Sequence, residues 1–353
     1  MPGLHVSPSG GQGGLSSVFI RGTNSNHVLV LRDGMPITDA SDTTGAFNFG
    51  IDTLADIERI EIVRGPMAAV YGSGAIGGEI NLISRRGTEP GVHWTGDLAG
   101  GYPALVRGSV TASGIAEAGL GAIDFAITAA SQSQRGYDSI PQRQSVYTGV
   151  PQGFRDRTLT LNLGYTTLED TRLSLLLRAN TAYFGFDTLG SPTYDTSNSN
   201  GQTTSLLGRV GGTTHLFDDR LESSLFVGRL QGDRRYQEPL APADPNQNFS
   251  DARYHAYRTD AQWNNTLHLG DLPGLSSSAM TFGYQYTGDT AKVRVNDNFG
   301  GFVFGQSATA SMIDHAVYAG LQTTVLDRLA LTGQLRHDWV GGDSPGTDRK
   351  SVV

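Results

Sequence analysis

The chain has 353 residues with 26 basic and 34 acidic side chains, a net charge of −8, 47 glycines and no cysteine. The acidic balance leaves no overall basic footprint for a nucleic-acid duplex or an anionic membrane surface, and the lack of thiols excludes cysteine nucleophiles, iron–sulfur clusters, zinc ribbons and disulfide frameworks. No run of about 18 apolar residues is present, which excludes a helical span but not a membrane β-barrel, whose strands each carry only a weak alternating signal.

Residues 1–90 read as one unit. Short apolar runs at 18–21, 28–31, 57–64 and 79–84 alternate with Gly-rich turns and predict strands. Arg32, Asp33 and Gly34 separate the second run from Met35, Pro36 and Ile37, which predicts a hairpin with Gly34 at positive φ. Asp52 is placed to cap a short turn through Ala55, and Pro66 to open a brief helix closed by Gly72. The unit is a small α+β domain. Gly72, Gly74 and Gly77 have the spacing GxGxxG, with Asp97 at a suitable interval, but 79–84 alternates as a strand. Without a helix N-terminus there is no dipole to hold a pyrophosphate, so the glycines serve backbone turning.

From 91 onward the pattern becomes long segments of period two. Ile123, Phe125 and Ile127 alternate with Asp124, Ala126 and Thr128. Leu159, Leu161 and Leu163 alternate with Thr160 and Asn162, and Met280, Phe282 and Tyr284 with Thr281 and Gln285. One face of each segment is apolar and the other polar. Tight connections at 169–170, 217–220, 271–274 and 327–328 alternate with polar stretches at 134–157, 185–203, 231–253 and 291–309. Short turns at one rim and long loops at the other are the layout of an outer-membrane barrel, an asymmetry for which a soluble sandwich has no reason. At roughly ten residues per strand plus connections, 91–347 holds about eleven strands. The apolar sets should face lipid and the polar sets the lumen, with Trp94, Trp263 and Trp339 as candidates for the interfacial girdles. No GxSxG elbow or triad context occurs, and nothing selects a carboxylate pair for glycoside chemistry, so no enzyme activity is expected.

Several linked motifs carry a resemblance. Val18-Phe19-Ile20-Arg21-Gly22, His27 to Gly34, Ile57 to Pro66, Val70-Tyr71-Gly72 and Ala75 to Asn81, in that order and spacing, resemble the plug domain of TonB-dependent outer-membrane transporters. The stretch from Asn24 to Gly34 is most similar to the cobalamin-uptake branch. The resemblance implies a transmembrane antiparallel β-barrel of 22 strands, about half of it present here, around an N-terminal α+β plug. The domains are then 1–90, the C-terminal part of the plug, and 91–347, the first half of the barrel. It further implies a place in the cell outer membrane of a Gram-negative bacterium, among its lipid, and active uptake of a scarce nutrient powered through TonB and its inner-membrane proton-driven energiser. Nucleic acid is not a partner and no cofactor is required. The substrate expected is cobalamin-like, the alternatives being a ferric-siderophore transporter, a transducing receptor with an added N-terminal signalling domain and, more remotely, a soluble glycan-binding module.

Arg21 and Arg64 fall on the family's two plug arginines, which implies that they lock the plug to carboxylates on the barrel wall; a planar guanidinium that stays charged in poor solvent suits that role. The apical loop supplies the candidate substrate contacts Asp39, Asp42, Thr43, Thr44, Phe47, Asn48 and Phe49, with Phe47 and Phe49 for the apolar edge of a corrin and Asp42, Thr43 and Asn48 for its amides. Asp187, Asp195, Asp233, Asp244 and Asp251 form a candidate calcium set. Both ends are expected to be truncated: the plug begins partway in, and residues 348–353 read as the in-frame translation of a sequencing-library adapter, a non-native tail.

Overall fold

The computed structural model describes residues 3–9, 12–42, 45–65, 72–136, 138, 142–143, 147, 149–186, 199–240 and 248–342. The possible tail therefore lies outside the described residues.

In the plug, β1 (Leu4–Pro8) pairs antiparallel with β2 (Ser16–Ile20). A second sheet is made by β3 (Val28–Arg32), β4 (Met35–Pro36), β5 (Ile57–Arg64) and β6 (Gly78–Ser84) in the order β4-β3-β6-β5, with β3 and β6 parallel. Asp33 and Gly34 have φ of 47° and 83°, the two positive values that a tight primed hairpin turn requires between β3 and β4. The expected helical pieces shrink to 3-10 turns among the described residues. One of these is Phe49–Ile51, N-capped by Asn48, whose Oδ1 accepts the Gly50 N–H at 2.8 Å. Asp52 does not begin a turn of helix through Ala55. Its Oδ1 accepts the Leu54 N–H at 3.0 Å, and Leu54 at φ 53° reverses the helical hand, so no second turn can follow. The helix expected from Pro66 lies on residues outside the description. The GxGxxG stretch forms the turn Ser73–Ala75 and runs directly into β6, with no long helix to face a phosphate.

The second body is a single antiparallel sheet of eleven strands in chain order: β7 (Gly91–Gly101), β8 (Leu105–Glu117), β9 (Gly121–Gln134), β10 (Phe154–Thr167), β11 (Arg172–Gly185), β12 (Asn200–Leu216), β13 (Leu221–Glu238), β14 (Phe249–Leu272), β15 (Leu275–Phe299), β16 (Phe302–Val325) and β17 (Leu329–Gly341). The four tight turns occur where the sequence places them. Two of the polar stretches, however, are not loops. Residues 291–309 are the ends of β15 and β16, joined at Gly300 and Gly301 with φ of 63° and 86°, and most of 231–253 belongs to β13 and β14. Where strands rise beyond the bilayer both faces meet water. Polarity there marks departure from lipid rather than the end of the strand.

Facing follows the alternation. Leu159 is 56% exposed on one side of β10, while Thr160 and Asn162 are 3% and 6% exposed on the other; on β15, Met280 and Tyr284 are exposed and Gln285 is buried. A nitroxide label at Leu161 of the full-length protein is therefore expected to be accessible to oxygen dissolved in lipid, and one at Asn162, which is buried against the plug, to be shielded from it in power-saturation measurements; the reverse would show a one-residue error of register.

The plug sits on the inner face of the middle strands. Val30, Met35, Ile80 and Leu82 pack in one cluster with Leu176 of β11, Leu207 of β12, and Phe226 and Leu230 of β13. Gly228 makes this approach possible, since a Cβ there would collide with the Met35 Sδ.

Candidate functional site

Two sets of barrel arginines reach the plug. The lower set is a buried network. Arg178 projects inward from β11 and donates from Nε to Asp56 Oδ2 at 2.9 Å and from Nη2 to both Asp52 oxygens at 2.8 and 2.9 Å. Arg32, at the end of β3, donates to Asp56 at 2.8 Å and to Asp52 at 3.3 Å, and Thr160 Oγ1 of β10 donates to Asp56 at 2.7 Å. These four charged side chains are 0–6% exposed. Burial alone would raise the Asp56 carboxyl, but Arg32 and Arg178 outweigh it and hold the group well below the ordinary carboxylate range. A depressed native pKa means a stabilisation that is complete above the ordinary aspartate value of 3.8 and is lost as pH falls below it toward the native value. Plug docking, followed by protection of plug amides from hydrogen exchange, is therefore expected to be constant between pH 7 and pH 5 and to weaken only below about pH 4. Weakening that begins near pH 6 would mean that the Asp52–Asp56–Arg178 network does not control docking.

The upper set holds the apical loop. Arg258 of β14 donates from Nη1 to Thr38 Oγ1 at 2.6 Å and to the Thr38 carbonyl at 3.2 Å, while its fork grips Asp289 of β15 at 2.8 and 2.6 Å. Arg234 of β13 lies 2.8 Å from Asp39 Oδ2 and donates to Ser41 Oγ at 2.9 Å. Asp39 Oδ1 in turn accepts the Ser41 N–H and hydroxyl at 2.7 Å each, which closes a tight local turn.

Bordered by both sets lies a cavity of about 380 Å³ between the loop and the inner face of β11–β14. Asp39, Asp42, Phe47 and Asn48 line it from the plug, so four of the expected contact residues are brought together. Phe47 packs edge-on against Phe49 at 4.8 Å, but Phe49 itself lines a neighbouring recess beside Gln132 and Phe154. Thr43 and Thr44 lie outside the described residues. Asn48 is partly committed, its Oδ1 accepting the N–H groups of Ser16 and Gly50 at 2.9 and 2.8 Å.

The wall side of the cavity was not singled out in the sequence. It carries Arg178, Arg234 and Arg258 together with Phe184 and Tyr236. Phe184, Phe186, Tyr236 and Tyr254 form a run of ring contacts 6.1–6.5 Å apart, and Arg234 stacks over Tyr254 at 4.9 Å. Of the three arginines only Arg178 carried a signal, as an inward-facing charge in the apolar run Leu175-Leu176-Leu177-Arg178. An aromatic shelf beside paired charges suits a bulky amphipathic ligand, with rings for apolar surface and fixed donors for its polar rim.

Arg21 and Arg64 are both exposed, and the Arg21 guanidinium lies beside Gly65. Among the described residues the ion pairs between plug and wall run the other way, from barrel arginines to the plug carboxylates Asp39, Asp52 and Asp56. Of the calcium set, Asp187, Asp195 and Asp244 lie outside the described residues. Asp251 is gripped by Arg235 and Arg253, and Asp233 bonds to His255. Among the described residues no group of three or more acidic or histidine side chains is disposed to hold a metal ion.

Residues 1–79 match the family described as TonB-dependent Receptor Plug Domain. The vitamin B12 transporter BtuB of Photobacterium profundum is 30% identical over 304 residues, covering 82% of this chain and 45% of that protein. The chain belongs to the TonB-dependent receptor family. Two solved receptors share the fold. The pyoverdine receptor FpvA of Pseudomonas aeruginosa superposes with a TM-score of 0.76 at 16% identity, over 99% of this chain and 54% of its own. The ferric yersiniabactin uptake receptor FyuA of Yersinia pestis gives 0.74 at 17% identity, over 100% and 56%. This receptor chain thus spans about half the length of its relatives. As a family member it is an outer-membrane protein of a Gram-negative bacterium, which agrees with the apolar outer face of its sheet.

Proposed function

We propose that the full-length receptor takes up a cobalamin-like ligand, binding it between the apical plug loop and the barrel wall and releasing it inward when TonB, driven by the inner-membrane proton gradient, pulls on the plug. The cavity faced by Phe47 and Asn48 on one side and Phe184 and Tyr236 on the other carries this reading. Its aromatic surface fits the apolar edge of a corrin, and its charges, balanced between arginines and aspartates, can serve an amide rim without demanding a charged ligand. The named B12 transporter among the relatives supports the same choice. A ferric siderophore is the second reading, favoured by Arg234, for which an anionic chelate would compete with Asp39.

Titration calorimetry of the full-length protein with cyanocobalamin, with and without calcium, separates the two. Binding at micromolar affinity or tighter is expected, and Phe47→Ala should weaken it about tenfold or more, since a buried aromatic contributes roughly 1.5–3 kcal/mol. Absence of cyanocobalamin binding together with tight binding of an iron chelate would move the assignment to the siderophore class.

A further inference from the structure

The wall of the ligand cavity holds a closed ring of three buried side chains that belongs to neither set of plug contacts. Asp156 and Thr158 face inward from β10, and Asn180 faces inward from the neighbouring β11, two residues beyond Arg178. The Asn180 amide donates from Nδ2 to Asp156 Oδ2 at 2.6 Å and to Thr158 Oγ1 at 3.0 Å. The Thr158 hydroxyl in turn donates its own hydrogen to Asp156 Oδ1 at 3.3 Å. Of the three, Asn180 alone lines the cavity.

The ring fixes which end of the amide the cavity meets. A carboxylate can only accept, so Asp156 draws the NH₂ end of Asn180 toward the wall, and the Thr158 hydroxyl, with its hydrogen directed at Asp156, accepts the second N–H. Both Asn180 hydrogens are thereby engaged. Its Oδ1 has no partner among the described residues and is the polar atom left for the cavity. The plug side presents the opposite polarity, since Asn48 has its Oδ1 occupied by the Ser16 and Gly50 N–H groups and keeps its Nδ2 to donate. The arginines lining the cavity already face carboxylates: Arg32 and Arg178 hold Asp52 and Asp56, Arg234 holds Asp39, and Arg258 holds Asp289.

We propose, on the cobalamin-like reading of this cavity, that Asn180 selects an amide-bearing ligand over its carboxylate counterpart by accepting a ligand N–H at Oδ1, with Asp156 and Thr158 as positioning residues. A primary amide on the ligand rim supplies the N–H that Asn180 needs and a carbonyl for a donor such as Asn48. A carboxylate at the same place sets acceptor against acceptor in a space largely closed to water, and its charge finds the lining guanidinium groups engaged. The selecting group is therefore a neutral side chain whose orientation is dictated by a buried charge behind it.

Titration calorimetry of the full-length receptor with cyanocobalamin and with its monocarboxylic acids, each having one rim amide hydrolysed to a carboxylate, tests this. Wild type is expected to bind at least one of these acids about tenfold or more weakly than cyanocobalamin, the scale for one buried hydrogen-bonding group left unmatched. Asp156→Asn is isosteric but can present an amide N–H to Asn180 Oδ1, which frees the Asn180 amide to turn, so discrimination against that acid should fall to within about threefold. Thr158→Val removes the acceptor for one Asn180 hydrogen and should lower the same ratio, which keeps the measurement available if Asp156→Asn does not fold. A merely structural ring would change both affinities together and leave their ratio as in wild type. Cyanocobalamin binding with every acid within about threefold of it, or a ratio unmoved by the variants, would overturn selection by Asn180 and leave the cobalamin reading standing. Absence of cyanocobalamin binding would overturn that reading and this assignment together.

Discussion

Replacing Arg178 with Ala in the full-length receptor is expected to lower the free energy of plug docking by about 3–5 kcal/mol, the scale for removing one partner of a buried ion pair. The cause is not lost attraction alone. Asp52 and Asp56 are 6% and 0% exposed, so without Arg178 two carboxylates share Arg32 in a space closed to water. Arg178→Lys should recover only part of the loss, because an ammonium cannot span both carboxylates in the geometry of the fork. Asp56→Asn in the Arg178→Ala background should recover more, since it removes the stranded charge. Urea titration of plug protection against protease reads all three. A loss below about 1 kcal/mol for Arg178→Ala would place the pair among solvated surface bridges and refute its role in docking.

Leu161→Arg should be the other costly change, at about 2–4 kcal/mol near the bilayer midplane, whereas Asn162→Ser on the opposite face of β10 should cost only about 1 kcal/mol in lipid-exchange folding assays. Leu161 faces lipid and Asn162 the plug, where its Nδ2 donates to the Arg85 carbonyl at 3.1 Å. Comparable costs for the two variants would mean that β10 is not a membrane strand.

The barrel was legible because period two is dictated by lipid on one side and water on the other, and a sequence must display it wherever a strand crosses. The same signal misled at 291–309, where strands leave the bilayer and lose the contrast that marks them. In the plug, the runs at 28–31 and 57–64 announced strands, but not the order β4-β3-β6-β5, because pairing of β3 with β6 joins residues far apart in the chain. The candidate loop was found through its mixture of aromatics and hydrogen-bonding groups. Its counterparts were not, since Arg234, Arg258 and Tyr236 reach it only through the register of strands some two hundred residues later. Arg178 was visible as a charge on a lumen face, yet its partners Asp52 and Asp56 lie in a turn that the sequence offered only as a helix cap. A patch on the outward face is the extreme case: Arg235, Arg253, Lys292 and Arg294 gather there from three strands although the chain as a whole is acidic.

Ligand is expected to enter the cavity between the apical loop and the wall. Single cysteines at Ser205, which lines that cavity, and at Ser174, about 20 Å lower on the same inner face, can be labelled with a small maleimide in the full-length receptor with every other cysteine replaced by serine; residues 1–353 contain none. Saturating cyanocobalamin should protect Cys at position 205 from labelling and leave position 174 unchanged, with half-protection at the concentration that half-saturates binding. Binding without protection at 205, or equal protection at both positions, would contradict the account.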